Sequence, residues 1–221
     1  MRVLDLVTAL ERFYGPLAAP PPDPFRCFVW EALGTQTTPG RREAAYSALR
    51  RIPALTPDSM FRAPRADLAA AIALAGPYQE QRISALLAGV GQFRRRPDLA
   101  SVIQGTLRGA TRALHMLPRL ADASVTRILL FAGNHAVMPV DRDMVRLCVR
   151  LGIHGETRSP AALARYVRQA IQPALPPDPA VFKHAALYLG HHAIQTCTDD
   201  PHCVVCPLKD LCPSGRTGPT E

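Results

Sequence analysis

The sequence predicts an all-α protein on three observations. Alanine and leucine recur at i, i+3 and i+4 through several stretches, the spacing that lines side chains along one helical face. Strand-like alternation of β-branched residues is scarce. The 22 prolines cluster between the apolar stretches, at Pro20 to Pro24, Pro53 and Pro57, Pro118, Pro139, Pro160 and Pro173 to Pro179, where proline stops one helix or opens the next.

In chain order, MRVLDLVTALERFYG places Val3, Leu6, Leu10 and Phe13 like a helix face, and the acidic Asp5 and Glu11 are foreign to a signal peptide. Ala18 to Asp23 reads as an extended connector. Helices are expected over Phe25 to Leu33, Arg41 to Leu49, Ala66 to Ala75 and Gln81 to Phe93. Arg127, Asn134 and His135 interrupt the most apolar stretch, Val125 to Val140, so no membrane span is expected. Gln172 to Pro179 reads as a second extended connector. With 221 residues there is room for one large core or two modest ones, and no export signal is visible, so a cytoplasmic, reducing setting is expected.

Charge points to a partner. Lys+Arg is 26 against 18 Asp+Glu, a net +8, and every basic residue except Lys183 and Lys209 is an arginine. Cations set against phosphates release condensed counterions, which makes a polyanion the expected partner.

Four of the six cysteines stand within one short string, CTDDPHCVVCPLKDLC, as Cys197, Cys203, Cys206 and Cys212 in C-x5-C-x2-C-x5-C spacing. Four thiolates in one loop suit a cubane iron–sulfur cluster. A structural zinc usually draws on two separated C-x2-C pairs and ranks second; two disulfides rank third in a reducing setting. Cys27 and Cys148 stand alone on apolar faces and read as core residues.

Together, the cysteine loop, the LPRLADASVTRIL string from Leu117 and the PVDRDMVR string from Pro139 resemble the endonuclease III and adenine-mismatch branches of the helix-hairpin-helix DNA glycosylase superfamily. The resemblance runs from about Phe25 to Cys212. It implies a six-helix barrel carrying the hairpin, a second helical domain holding a 4Fe-4S cluster on the four cysteines, and a cleft between them that receives a flipped base. The expected division is 25–137 for the barrel, with 1–24 and 138–221 forming the cluster domain. The family loop is usually C-x6-C-x2-C-x5-C, one residue longer than here.

The resemblance also implies roles. Asp141 matches the aspartate that stabilises positive charge on the sugar as the N-glycosidic bond breaks. The residues alone would read Asp141 or Asp143 as a helix N-cap. Gln36 matches the glutamine that fills the gap left by the flipped nucleotide, and Glu31, five residues earlier, matches the glutamate that assists base departure in the mismatch branch. Burial beside Trp30 and Phe28 would favour its protonated form; the alternative is a solvent-facing glutamate paired with an arginine. Tyr78 and Gln79, in GPYQEQR, match a turn that approaches the opposite strand, although Tyr78 also reads as core packing. Gly190, in LGHHAIQTC, matches a helix position where backbone comes close to DNA, which would bring His191 and His192 near phosphate; the alternative for adjacent helix histidines is one buried and one solvated. Lys209 is the basic residue left in the cysteine loop, where the family presents basic residues to DNA.

The hairpin departs from its pattern. Arg119 and Ala121 replace the glycines whose backbone amides approach a phosphate, and Ala123 replaces the lysine that forms a Schiff base. Arg119 is expected to contact phosphate directly instead. The implied activity is a monofunctional DNA glycosylase of base excision repair, a monomer that acts on an oxidised pyrimidine or a mispaired base in double-stranded DNA. The alternative is a catalytically weak DNA-binding paralogue that keeps the scaffold.

Overall fold

The computed structural model describes residues 2–34, 36–52, 55–118, 120–153 and 159–217. Among them are thirteen α-helices and two 3-10 turns, with no strand, as the periodicity predicts. No helix among them is long and apolar enough to cross a membrane. The chain divides into a central unit, Pro20–His135, and a terminal unit made of Met1–Ala19 with Ala136–Glu221.

Helix α1 (Val3–Tyr14) buries Val3, Leu6, Val7 and Leu10. Phe13, expected on that face, is 51% exposed. Periodicity sets the direction of a side chain, not whether a neighbour covers that last turn; Phe13 meets the edge of Tyr14 at 4.9 Å instead.

The central unit holds α2 (Pro24–Leu33), α3 (Pro39–Leu49), α4 (Pro57–Arg62), α5 (Arg65–Ala73), α6 (Gln79–Arg95), α7 (Leu99–Gln104), α8 (Leu107–His115) and α9 (Asp122–Phe131). Its helix starts follow from local chemistry. Asp23-Pro24, Thr38-Pro39 and Thr56-Pro57 each put an accepting side chain at the N-cap and a proline at the first helical position, where no N–H is needed. Thr56 and Ser59 complete a reciprocal capping box. Helix α2 is the hub, packing on α3, α6, α7 and α9. Phe25 and Phe28 of α2 meet Phe93 of α6 at ring separations of 5.2 and 5.6 Å. Close approach requires Gly89 on α6, since a Cβ there would lie 1.9 Å from the Phe28 ring. Burying a side chain of this size contributes roughly 1.5–3 kcal/mol.

The terminal unit adds α10 (Arg142–Arg150), α11 (Pro160–Ile171), α12 (Pro179–Gln195) and α13 (Pro213–Thr217). Helix α12 packs on α1 and α10, while α11 and α13 pack on α10. The Tyr188 hydroxyl donates to the Gly15 carbonyl at 2.8 Å, tying α12 to the end of α1. The connector expected over Gln172 to Pro179 is not extended throughout. Gln172–Ala174 form a 3-10 turn that tightens the end of the preceding helix, with the Leu175 N–H donating to the Gln172 carbonyl at 3.2 Å and Leu175 buried.

Candidate functional site

In the terminal unit, Asp141 is the N-cap of α10. Its Oδ1 accepts from the Met144 N–H at 2.9 Å, and the residue is half-buried. The capping role read from the residues alone is therefore present, and a cap places a carboxylate at the helix end that attracts anions. The approach to it is pinned from α11 and the 3-10 turn that follows it. The Met138 N–H donates to Gln172 Oε1 at 2.9 Å, and Arg168 Nε donates to the Met138 carbonyl at 2.9 Å. Both backbone groups of a fully buried residue, three positions before Asp141, are thereby satisfied. Asp143 lies in the first turn and is held by Arg146 Nη1 at 2.6 Å.

In the central unit, Glu31 projects from α2 into the interior, with no exposed side-chain surface. Its Oε2 accepts from Arg127 Nε of α9 at 3.0 Å. Its Oε1 lies 3.7 Å from Arg42 Nη1 of α3 and has no hydrogen-bond partner among the described residues. The solvent-facing placement is thus overturned: the carboxylate is buried, and arginine-paired within that burial. Arg42 also stands 5.2 Å from the Trp30 ring centre and lies against Gly34, where any Cβ would collide with its guanidinium.

The hairpin joins α8 to α9 through Met116–Ala121. Arg119 lies outside the described residues. Ala121 is the N-cap of α9 in extended conformation, with no side-chain cap, and Asp122 brings an acidic group into the first turn. Ala123 carries only a methyl at the position matched to the lysine.

Two loops of the same unit hold the next candidates. Gln36 is exposed at φ 48°, and Tyr78 is 51% exposed at φ 69°. Core packing for Tyr78 is therefore overturned; it stands at the N-cap of α6, where the turn directs it outward. The Gln79 amide is engaged, donating to the Ala69 carbonyl of α5 at 2.9 Å. A cavity of about 190 Å³ lies beside Tyr78, between Phe28, Ala32 and Arg82 on one side and Pro118 and Leu120 on the other.

Sequence reasoning missed three charged residues here. Arg127 is a lone arginine within the apolar run of α9, Arg42 follows a second arginine, and Arg82 is 3% exposed on α6. Arg127 carried a signal, a cation inside an apolar helical stretch, which needs a buried partner; Arg82, directly after Gln79, Glu80 and Gln81, carried none.

Cys197, Cys203, Cys206 and Cys212 all carry free thiols and line one cavity of about 450 Å³. The disulfide reading is not what the geometry holds. Among the described residues no three His, Cys, Asp or Glu side chains converge on one metal-ion position. Four thiols lining one cavity are the donor set a 4Fe-4S cluster takes. Arg150 Nη1 reaches Cys197 Sγ at 3.4 Å, and Cys212 Sγ donates to the Arg150 carbonyl at 3.3 Å. Arg146 donates to the carbonyls of Cys197 and Ala193 at 2.9 and 2.7 Å. Helix α10 thus carries both Asp141 at its start and the arginines that hold the cysteine loop.

His192 is buried, with Nδ1 2.7 Å from the Tyr14 hydroxyl and Nε2 3.6 Å from Cys206 Sγ. Burial brings His192 down to about 4, with His191 adding to the shift. Burial likewise pushes the Cys206 thiol up. His191 is half-buried, its ring edge-on to Tyr14 at 4.6 Å, and burial lowers its pKa. A Cβ at Gly190 would meet open space. Lys209 is exposed, as are Asp199 and Asp200, and Val204 at the loop tip is 89% exposed. Cys27 and Cys148 are buried core residues, and desolvation pushes the Cys148 thiol up to about 12.

No protein-family model matches the sequence, and comparison with curated proteins finds no match. Among solved structures, the chain is similar to an endonuclease III trapped as a covalent intermediate with DNA, at TM-score 0.75 and 16% identity over 98% of each chain. It is similar to a thermostable thymine-DNA glycosylase, at TM-score 0.74 and 16% identity over 98% of this chain and 97% of that one. It is also similar to the H. pylori 3-methyladenine DNA glycosylase bound to 1,N6-ethenoadenine, at TM-score 0.61 and 18% identity over 87% and 94%. The all-helical fold of this chain is the fold of the endonuclease III-type DNA glycosylases.

Proposed function

We propose that the chain is a monofunctional DNA glycosylase that excises an oxidised or mispaired base from duplex DNA. The observation that carries this reading is Asp141, a half-buried carboxylate fixed at a helix start by a cap and by the bracket on Met138, within an endonuclease III-type fold. The +8 charge, almost all arginine, supports a duplex partner, because guanidinium groups bind phosphate in a planar fork. Extruding a base costs a few kcal/mol, least at a weakened pair. The C1′–N bond then breaks with its electron pair leaving on the base. Asp141 stabilises the sugar cation, and water adds to C1′ as its proton passes to the carboxylate.

Glu31 is the second candidate. Its Oε1, charge-paired with Arg42 but without a hydrogen bond among the described residues, is the atom left to engage a departing base. Gln36 and Tyr78 are proposed to enter the duplex from their exposed loops. Gly190, His191 and Lys209 are proposed backbone contacts, as is Arg119, whereas the engagement of the Gln79 amide argues against a direct role. Cys197, Cys203, Cys206 and Cys212 would hold a 4Fe-4S cluster. When bound, it would supply a rigid fastening for the loop and a redox centre.

A second reading, a DNA-binding scaffold with weak catalysis, is favoured by the burial of Glu31 between two arginines. Base release from duplexes carrying oxidised pyrimidines, uracil, G·T or A·8-oxoguanine separates the two. Release from at least one without strand cleavage is expected. Tight binding with no release from any of them would leave the scaffold.

A further inference from the structure

Gln36 and Tyr78 share an uncommon property. Both are non-glycine residues in the left-handed region, at φ 48° and 69°, and both are exposed. Such backbone persists only where its surroundings hold it, and it concentrates at sites that clamp ligands. What holds both is one side chain. Arg82, buried at 3%, donates from Nη1 to the Gly76 carbonyl at 3.0 Å and to the Pro77 carbonyl, and from Nη2 to the Gln36 carbonyl at 3.2 Å. A second tie runs parallel, from Thr37 Oγ1 to the Ala75 carbonyl at 2.6 Å. Arg82 and Gln36 are forty-six residues apart in sequence, and the loops that carry Gln36 and Tyr78 are thereby joined. Burial pulls the Arg82 guanidinium below its ordinary pKa, so the interior position disfavours its charge.

Resting on the proposed glycosylase function, we propose that Arg82 is a positioning residue that fixes Gln36 and Tyr78 at a set separation, so that they enter the duplex together as a two-pronged wedge. The planar fork of arginine suits this task, since one rigid group can meet carbonyls of two loops at once. A lysine has the charge but not the fork. The wedge matters only while a base must be levered out of a paired stack. The clamp therefore acts on extrusion and not on bond cleavage.

The test compares the wild-type chain with Arg82→Lys and Thr37→Val on two substrates. In one the target base is fully paired; in the other it faces an abasic site and is already unstacked. A 2-aminopurine beside the target reports extrusion, and thermal unfolding reports the fold. Arg82→Lys is expected to lower kcat on the paired substrate by about tenfold, equivalent to about 1.4 kcal/mol, with a weaker extrusion signal and unchanged duplex affinity. On the unstacked substrate its rate is expected to return to near wild type. Thr37→Val, which removes a single hydroxyl, is expected to act in the same direction and carries the comparison alone if Arg82→Lys fails to fold. Equal losses on both substrates, or no loss, would overturn the clamp while wild-type base release keeps the glycosylase reading standing. A wild-type chain that neither extrudes nor releases a base overturns both.

Discussion

Glu31 Oε2 and Arg127 Nε lie 3.0 Å apart in the interior of the central unit, on helices ninety-six residues apart in sequence. The Glu31 side chain has no exposed surface and that of Arg127 is 23% exposed, so solvent screens the pair only in part. Removing Arg127 takes away the hydrogen-bonded member of that pair and leaves the buried Glu31 carboxylate facing Arg42 alone, at 3.7 Å. Arg127→Met is expected to lower unfolding free energy by about 3 kcal/mol, read from urea denaturation. The double variant Glu31→Met/Arg127→Met should recover most of that loss, because replacing both charges removes their desolvation cost. A single-variant loss below about 1 kcal/mol would show that water or Arg42 compensates the carboxylate once Arg127 is gone.

The bracket on Met138 gives a second expectation. Gln172→Leu leaves the buried Met138 N–H without its acceptor, at a cost of roughly 1–3 kcal/mol. If the bracket also aims Asp141, base release at saturating DNA should fall while duplex affinity holds. A stability loss with unchanged kcat would confine Gln172 to a structural role.

Covalent chemistry gives a third. Ala123 has no amine, and the first lysine in the chain is Lys183. Borohydride reduction during turnover is expected to yield no protein–DNA adduct. Efficient trapping would contradict the monofunctional assignment and point to another amine.

The cysteine cavity gives a fourth. Protein purified anaerobically should be brown and carry roughly four iron atoms per chain. Cys206→Ala should lose the visible absorbance and much of the iron. A colourless preparation containing zinc would overturn the cluster.

Much of the fold was legible because its signals are local. An Asp or Thr before Pro at 23–24, 38–39, 56–57 and 178–179 announces a helix start within a few residues, and each is an N-cap in the structure. Asp141 was legible as an N-cap for the same reason, whereas its candidacy for catalysis came from the resemblance of the segment around it. Glu31 was legible as a candidate but not in its setting, since the arginines that hold it come from α3 and α9, and no local pattern encodes such a meeting. Arg82 was missed on the same ground: its acceptors are backbone carbonyls, which leave no residue-type signature. Phe13 shows the converse, a correct period without a covering neighbour.

The most direct test of the central claim is base release by Asp141→Asn. Asparagine caps a helix about as well as aspartate, so the bond to the Met144 N–H and the start of α10 should survive. What is lost is the negative charge. Release is expected to fall by about a hundredfold or more, with duplex affinity and thermal stability close to wild type. Turnover near the wild-type rate in that variant would contradict the assignment of Asp141, and with it the proposed mechanism.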